Sequence, residues 1–142
     1  MINFFKDKEQ DIENNEKSYS KIAALLIHAA KIDENYEEKE KEIIKKTLIE
    51  LGAKISDVDK LIIEASAIEE NSNQILDFTR EVKNAPNADK IKIIESLWKI
   101  IYSNHNADMY ETNLMRRLGG LLYIDAKTMG DLKTKIKKEL KT

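Results

Sequence analysis

The chain has 142 residues and no cysteine, so it is long enough for one domain with its own core, and disulfides, thiolate zinc sites and thiol nucleophiles are excluded. Its 24 basic and 26 acidic residues nearly cancel, so net charge selects no charged partner. One proline and four glycines among abundant Leu, Ile, Lys and Glu predict an all-α fold.

Apolar residues recur three or four positions apart through most of the chain, which predicts a single-domain bundle of about seven helices. Gly52 is expected to end the second helix, Ser56 to open the third, and Ala85-Pro86 to separate the fourth from the fifth. The predicted helices span about 19–31, 37–51, 56–68, 73–84, 88–103, 109–122 and 126–140.

Each predicted helix has one apolar stripe that is expected to face the core. We expect Trp98 and Tyr102 to pack in this core rather than to stack on a ligand, and the lysines of the last helix to be solvated. The stripes of the first, fifth and seventh helices comprise Ile22, Leu25, Leu26 and Ala29; Ile91, Ile94, Leu97, Trp98 and Ile101; and Met129, Leu132, Ile136 and Leu140.

The segment at 1–18 is expected to be partly flexible and to precede a helical domain at 19–142. It lacks the apolar run of a secretory signal, and Ile22–Ile27 is far shorter than the roughly 18 residues of a membrane span. These features predict a cytoplasmic protein without stable membrane insertion. Arginine occurs only at 80, 116 and 117, which disfavours a nucleic-acid partner.

Two segments of the sequence align with each other in one register, which we call the repeat register. It aligns the first two helices with the fifth and sixth, placing Leu26 on Leu97 and Ile44 on Met115. The polar residues between the helices keep the same register. An internal repeat of helix pairs about a pseudo-twofold axis is therefore predicted. The aligned polar pairs are Asp33 with Asn104, Glu37 with Asp108, and Glu40 with Glu111.

The two aligned segments resemble the TerB family of tellurite-resistance-associated proteins. Residues 97–111 read LWKIIYSNHNADMYE where the family typically has L-W-x-x-A-x-A-D-G followed by D-x-x-E. Residues 32–40 read IDENYEEKE where it has A-D-G-x-x-D-x-x-E. The resemblance covers about residues 19–140. Glu34 and His105 replace the usual glycine, and Asn104 replaces the usual aspartate.

The resemblance implies an all-helical, non-enzymatic, stress-associated protein whose acidic residues bind a divalent cation. Carboxylate and amide oxygens suit Ca²⁺ or Mg²⁺, but these ions take about six to eight ligands, so one loop is insufficient. An EF-hand is disfavoured because Glu38 and Ile44 stand where a calcium loop starting at Asp33 requires glycine and a final glutamate. The candidate metal ligands are Asp33, Glu37, Glu40, Asn104, Asp108 and Glu111.

Two alternatives remain open for these acidic residues. Asp108-x-x-Glu111 and Asn35-x-x-Glu38 match capping boxes, so helix capping alone accounts for most of the positions. The same acidic face also suits a metal-free adaptor that binds a basic protein, because residues 33–42 hold six carboxylates and two lysines. A protein partner is expected in either case, and the sequence predicts neither its identity nor an oligomeric state.

The remaining polar residues form no recognisable catalytic group. His28 is expected at the edge of the core and His105 in a solvated turn, and neither follows a glutamate at the spacing of a di-metal site. Gly119-Gly120 lacks the Lys-Ser/Thr of a phosphate-binding loop, so these glycines either permit close helix approach or mark a weakened turn. The sequence therefore predicts a protein that is not an enzyme.

Overall fold

The computed structural model describes residues 19–32, 37–71, 76–103 and 109–141, and this part of the chain consists of helices and the turns beside them. The all-α prediction is confirmed. The α-helices of the described residues are α1 (19–32), α2 (Glu38–Glu50), α3 (Val58–Glu70), α4 (Leu76–Lys83), α5 (Asn87–Tyr102), α6 (Met109–Leu121) and α7 (Ala126–Lys141), with a 3₁₀ turn at Ile55–Asp57 before α3.

Helix α1 lies at the centre of the bundle. The sequence predicted one buried stripe, but every residue from Ile22 to Ile27 is buried, as are Ala29 and Ala30. The two small residues at 23 and 24 allow neighbouring helices to approach the side opposite the leucines. A helix that is apolar on most sides belongs in the interior of a bundle, and α1 is such a helix, with Lys21, His28 and Lys31 along its one polar edge.

Helix α5 packs against α2 on one side and α7 on the other. Its buried stripe includes Ile94, Leu97, Trp98 and Ile101, as predicted, but Ile91 is 36% exposed. The stripe begins instead at Lys90, which is buried and donates a hydrogen bond across the bundle to a backbone carbonyl. Ile91 therefore lies at the edge of the stripe.

Helix α7 runs alongside α5 in the same direction. Lys133 Nζ lies 5.5 Å from the centroid of the Trp98 ring, and Lys137 Nζ lies 5.5 Å from that of Tyr102. Tyr102 is the last residue of α5, so the final turn of α7 extends past the end of its neighbour. This explains why Leu140, predicted in the buried stripe, is 45% exposed.

Gly119 permits close approach between α6 and α7, as the sequence suggested. A Cβ atom at this buried position would lie 3.2 Å from Met129 Cγ and 3.4 Å from the Ile124 carbonyl oxygen. At the adjacent Gly120 a Cβ atom would meet nothing within 4 Å. The two glycines therefore differ: one allows helix contact and the other borders open space.

Helices α2 and α6 end with the same hydrogen-bonding pattern. After α2, Gly52 has φ +119°, its N–H donates to the Ile49 carbonyl, and Ala53 donates to Leu48. This is a Schellman motif, and the prediction that Gly52 ends α2 is confirmed. After α6, Tyr123 has φ +58°, and the corresponding bonds run from Tyr123 to Gly120 and from Ile124 to Gly119.

The repeat register relates several local features of the two helix pairs. It carries α2 onto α6, end to end, and Gly52 onto Tyr123. Tyr19 Oη donates to the Leu51 carbonyl at 3.2 Å, and Lys90 Nζ, at the equivalent position of α5, donates to the Leu122 carbonyl at 3.2 Å. These equivalences are local, and the pseudo-twofold arrangement of the pairs remains a prediction.

None of the helices in the described residues is both long enough and apolar enough to cross a membrane.

Candidate functional site at the start of α2 and the end of α5

The first turn of α2 is capped by its own carboxylates. Glu37 is the N-cap residue with an extended backbone, and it forms a reciprocal capping box with Glu40. Glu40 Oε2 accepts a hydrogen bond from the Glu37 N–H at 3.3 Å. The prediction of a box between Asn35 and Glu38 is wrong, because the helix begins at Glu38 and the capping pair lies two positions later.

Glu40 also joins α2 to α5. Its side chain is buried, with 1% of the residue exposed, and its Oε1 atom lies 3.1 Å from the Ser103 hydroxyl. That hydroxyl also lies 2.6 Å from the Ile100 carbonyl oxygen, so its one proton is shared between two acceptors. A carboxylate removed from water is stabilised by such hydrogen bonds, and here they fix the first turn of α2 on the last turn of α5.

Lys39 makes a second link between the same helix ends. Its Nζ atom donates to the Ser103 carbonyl oxygen at 2.5 Å. This carbonyl belongs to the C-terminal end of α5, where the helix dipole favours a cation. Neither Lys39 nor Ser103 is among the predicted site residues, because a lysine within an acidic run carries no signal that it reaches another helix.

Helices α2 and α5 are antiparallel along their length. Beyond the contact at Ser103, the Thr47 hydroxyl bonds to that of Ser96 at 2.8 Å, and Lys92 Nζ bonds to the Glu50 carbonyl at 3.2 Å. The start of α2 and the end of α5 therefore lie at the same end of the bundle. We call this end, defined by Glu37 to Glu40 and Ser103, the acidic end.

The candidate metal ligands are only partly described. Glu37 is exposed at the acidic end, and Glu40 is buried there. Asp33, Asn104 and Asp108 lie outside the described residues, as does the side chain of Glu111 in α6. Within the described part of the chain, no three side chains of the metal-binding types form a cluster. Glu37, which follows the first predicted loop, and Ser103, which precedes the second, thus lie at the same end of the bundle.

Lysines pair with two exposed carboxylates of α2 and with one of α3. Lys41 Nζ lies 3.7 Å from Glu38, and Lys45 Nζ lies 3.6 Å from Glu42 and 3.0 Å from Asp59. The hydrogen bond to Asp59 is the main reason that the pKa of Lys45 is raised above its ordinary value. Glu37 has no ion pair with any described side chain, and its exposed carboxylate accepts the capping bond from the Glu40 N–H.

A separate polar cluster joins α1 to α3. Glu69 lies 2.6 Å from Lys31 Nζ and 3.3 Å from His28 Nδ1. Burial raises the pKa of Glu69, but the hydrogen bonds from Lys31 and then His28 outweigh it, so the pKa is below its ordinary value. The expectation that His28 lies at the edge of the core is confirmed, since its side chain is 35% exposed.

Comparison with known proteins gives one family. The model of a family described as Tellurite resistance protein TerB matches residues 20–134. No curated protein and no solved structure matches the chain. The matched range runs from α1 into α7 and includes the whole acidic end.

Proposed function

Because the chain belongs to the TerB family of tellurite resistance proteins, we propose that it is a non-enzymatic module that binds a divalent cation, Ca²⁺ or Mg²⁺, at the acidic end. The bound ion adjusts a surface used by a protein partner. The observation that carries this proposal is the contact between Glu40 and Ser103, because Ser103 directly precedes Asn104 and Glu37 directly follows the segment that contains Asp33.

The proposed ligands come from both sides of this contact. Ca²⁺ and Mg²⁺ require about six or more oxygens, some of them from water, and neither segment contributes that many alone. In the proposed site Asp33 and Glu37 act together with Asn104, Asp108 and Glu111. Glu40 uses both carboxylate oxygens in hydrogen bonds, so its proposed role is to hold the start of α2 in place beside the ion.

Charge explains how an ion would alter the surface. Residues 33–37 carry Asp33, Glu34 and Glu37, and like charges at such spacing repel one another. A divalent cation removes this repulsion and draws the two segments together. A partner that recognises the ion-loaded arrangement then binds more tightly, by the same factor by which it strengthens ion binding.

Thermal and urea unfolding with and without the ion tests this proposal. At about 100 times its dissociation constant, Ca²⁺ or Mg²⁺ should stabilise the protein by about 2.7 kcal/mol relative to excess chelator. Asp33→Asn combined with Asp108→Asn should abolish this increase. The matched control, Asp77→Asn combined with Asp131→Asn, removes two exposed carboxylates elsewhere and should leave it intact. An undiminished increase in the first pair contradicts the proposed site.

A metal-free adaptor is the second candidate function, and the exposure of carboxylates on α2 favours it. The side chains of Glu38 and Glu42 are 81% and 69% exposed, and Glu37 is exposed beside them. A basic protein would bind this face through long-range attraction that salt weakens. Chelator distinguishes the two functions: it abolishes partner binding by the cation-dependent module and leaves binding by the adaptor unchanged.

A further inference from the structure

A cavity of about 410 Å³ lies between α5, α6 and α7, and no step of the proposed function uses it. Trp98 of α5, Met115 of α6 and Met129 of α7 contribute apolar walls, and Ile124 contributes from the turn between the last two helices. Small-molecule sites have volumes of about 300–1,000 Å³ and mostly apolar linings. This cavity has the size and the lining of such a site.

Glycines keep part of the cavity open. Gly120 and Gly130 both line it, and a Cβ atom at either position would meet nothing within 4 Å. Gly120 and Gly130 are both exposed, so the missing side chains leave the mouth of the cavity open to solvent. The volume is therefore available to another molecule.

The polar groups of the lining are cationic. Arg116 and Lys133 line the cavity, and no acidic residue does. Neither cation has a carboxylate within ion-pair distance among the described side chains, and Lys133 Nζ lies over the Trp98 ring instead. The indole N–H of Trp98 is a buried donor without an acceptor in the described part of the chain. Positive charge beside an apolar wall matches a ligand with an anionic head and an apolar body.

We propose that this cavity binds a small amphipathic carboxylate, whose apolar body fills the space beside Gly120 and Gly130 while its carboxylate pairs with Arg116 and Lys133. A free carboxylate is favoured over a membrane lipid because the site is a cavity between three helices. The lysine already rests on the aromatic wall, so it needs little movement to reach the head group. This site is independent of the acidic end and of any metal.

Titration with decanoate tests the proposal on the full chain. Trp98 is the only tryptophan, so its fluorescence reports occupation of the cavity directly. Decanoate should produce a saturable change with one molecule per chain and bind at least about tenfold more tightly than decanol, a difference of about 1.4 kcal/mol. Absence of saturation below about 1 mM, or equal binding of decanol, overturns the proposal. Vesicles of anionic lipid should give no comparable change, and vesicle binding that decanoate does not displace also overturns it.

Variants separate the cavity from a non-specific surface. Gly120→Leu fills the open space and should abolish binding of both probes measured by calorimetry, whereas Asn113→Leu adds the same side chain on an exposed part of α6 and should not. Arg116→Met combined with Lys133→Met should weaken decanoate about tenfold and leave decanol unchanged. Lys138→Met, an exposed lysine of α7 outside the cavity, is the charge control. Decanoate affinity that Gly120→Leu leaves unchanged places the ligand elsewhere and contradicts the assignment.

Discussion

The first helix pair, α1 with α2, and the second, α5 with α6, end in the same way but contact different neighbours. In each pair the first helix donates a side-chain hydrogen bond to the carbonyl of the residue just after the second, from Tyr19 to Leu51 and from Lys90 to Leu122. Both pairs then turn through a residue of positive φ, Gly52 or Tyr123. The two helix pairs thus end with similar hydrogen bonds although the residues that form them differ.

The outer contacts of the two pairs differ. His28 and Lys31 of α1 bind Glu69 of α3. The positions of α5 that the repeat register assigns to them are Lys99 and Tyr102, and the ring of Tyr102 stacks on Trp98 with centroids 6.0 Å apart. The cations of the first pair lie beside an acidic residue of α3, and the aromatic rings of the second pair lie beside lysines of α7. The outer side chains of each pair therefore match the helix that packs against them.

Among the changes that test this comparison, replacing Glu40 should have the largest effect on stability. Glu40→Ala removes the acceptor for Ser103 and for the Glu37 N–H and leaves space in a buried position. We therefore expect a loss of about 2–3 kcal/mol in urea unfolding. Glu40→Gln keeps one acceptor oxygen and should lose less. A cost below about 1 kcal/mol for Glu40→Ala contradicts the linking role.

The two helix-end hydrogen bonds provide a matched pair of smaller changes. Lys90→Met leaves the Leu122 carbonyl without its buried charged donor. The expected cost is about 1–2 kcal/mol, because a buried acceptor loses its partner. Tyr19→Phe removes only a hydroxyl from the equivalent contact. Its expected cost is about 1 kcal/mol. Urea unfolding of both variants measures the difference, and a neutral effect of both changes would break the equivalence of the two pairs.

The two positive-φ residues, Gly52 and Tyr123, should differ in how strongly their replacement changes stability. Gly52→Ala places a Cβ in a conformation that L-residues rarely adopt, 2.8 Å from Tyr19 Oη. The expected destabilisation is about 1–2 kcal/mol. Tyr123→Gly relieves the same backbone strain but loses the contact with Lys83 Nζ, 4.7 Å from the ring centroid. These two effects oppose each other, so the net change should stay within about 0.5 kcal/mol. A large loss in Tyr123→Gly, measured by thermal unfolding, would mean that its side chain matters more than its backbone.

The acid dependence of stability should come partly from the first pair. The pKa of Glu69 is lowered in the folded protein, so its ionised form stabilises the fold above its unfolded pKa of about 4.3, and this contribution disappears as the pH falls through the lower folded pKa. Glu69→Gln should therefore reduce stability at pH 7 and flatten its decline below about pH 4.5. Parallel pH curves for the variant and the wild type would contradict this.

Sequence periodicity predicted most of the architecture. Most of the buried stripe of α5 was identified from apolar spacing because burial and helical geometry impose the same period, whereas α1 is buried beyond its predicted stripe. Ile91 was misplaced because a lysine one position earlier takes the buried place and donates to a distant carbonyl, which a pattern of apolar residues does not encode. Leu140 was misplaced because the length of a neighbouring helix decides whether a last turn is covered.

The candidate site was less accessible to sequence reasoning. The sequence predicted a capping box at the start of α2, but it assigned the box to Asn35 and Glu38, whereas the capping pair is Glu37 and Glu40. That Glu40 also binds Ser103, far away in the sequence, depends on the antiparallel packing of α2 on α5, and no local pattern reports such a contact. Local chemistry was thus predictable, and the meeting of two helix ends was not.

Calorimetric titration of Ca²⁺ and Mg²⁺ into the wild type, Asp33→Asn, Asp108→Asn and the double variant tests the central proposal most directly. If both segments bind one ion at the acidic end, the wild type takes up one ion per chain, each single change weakens binding at least about tenfold, and the double change adds little more. Two independent sites, each lost with only one of the changes, or an affinity that neither change alters, would contradict a shared site.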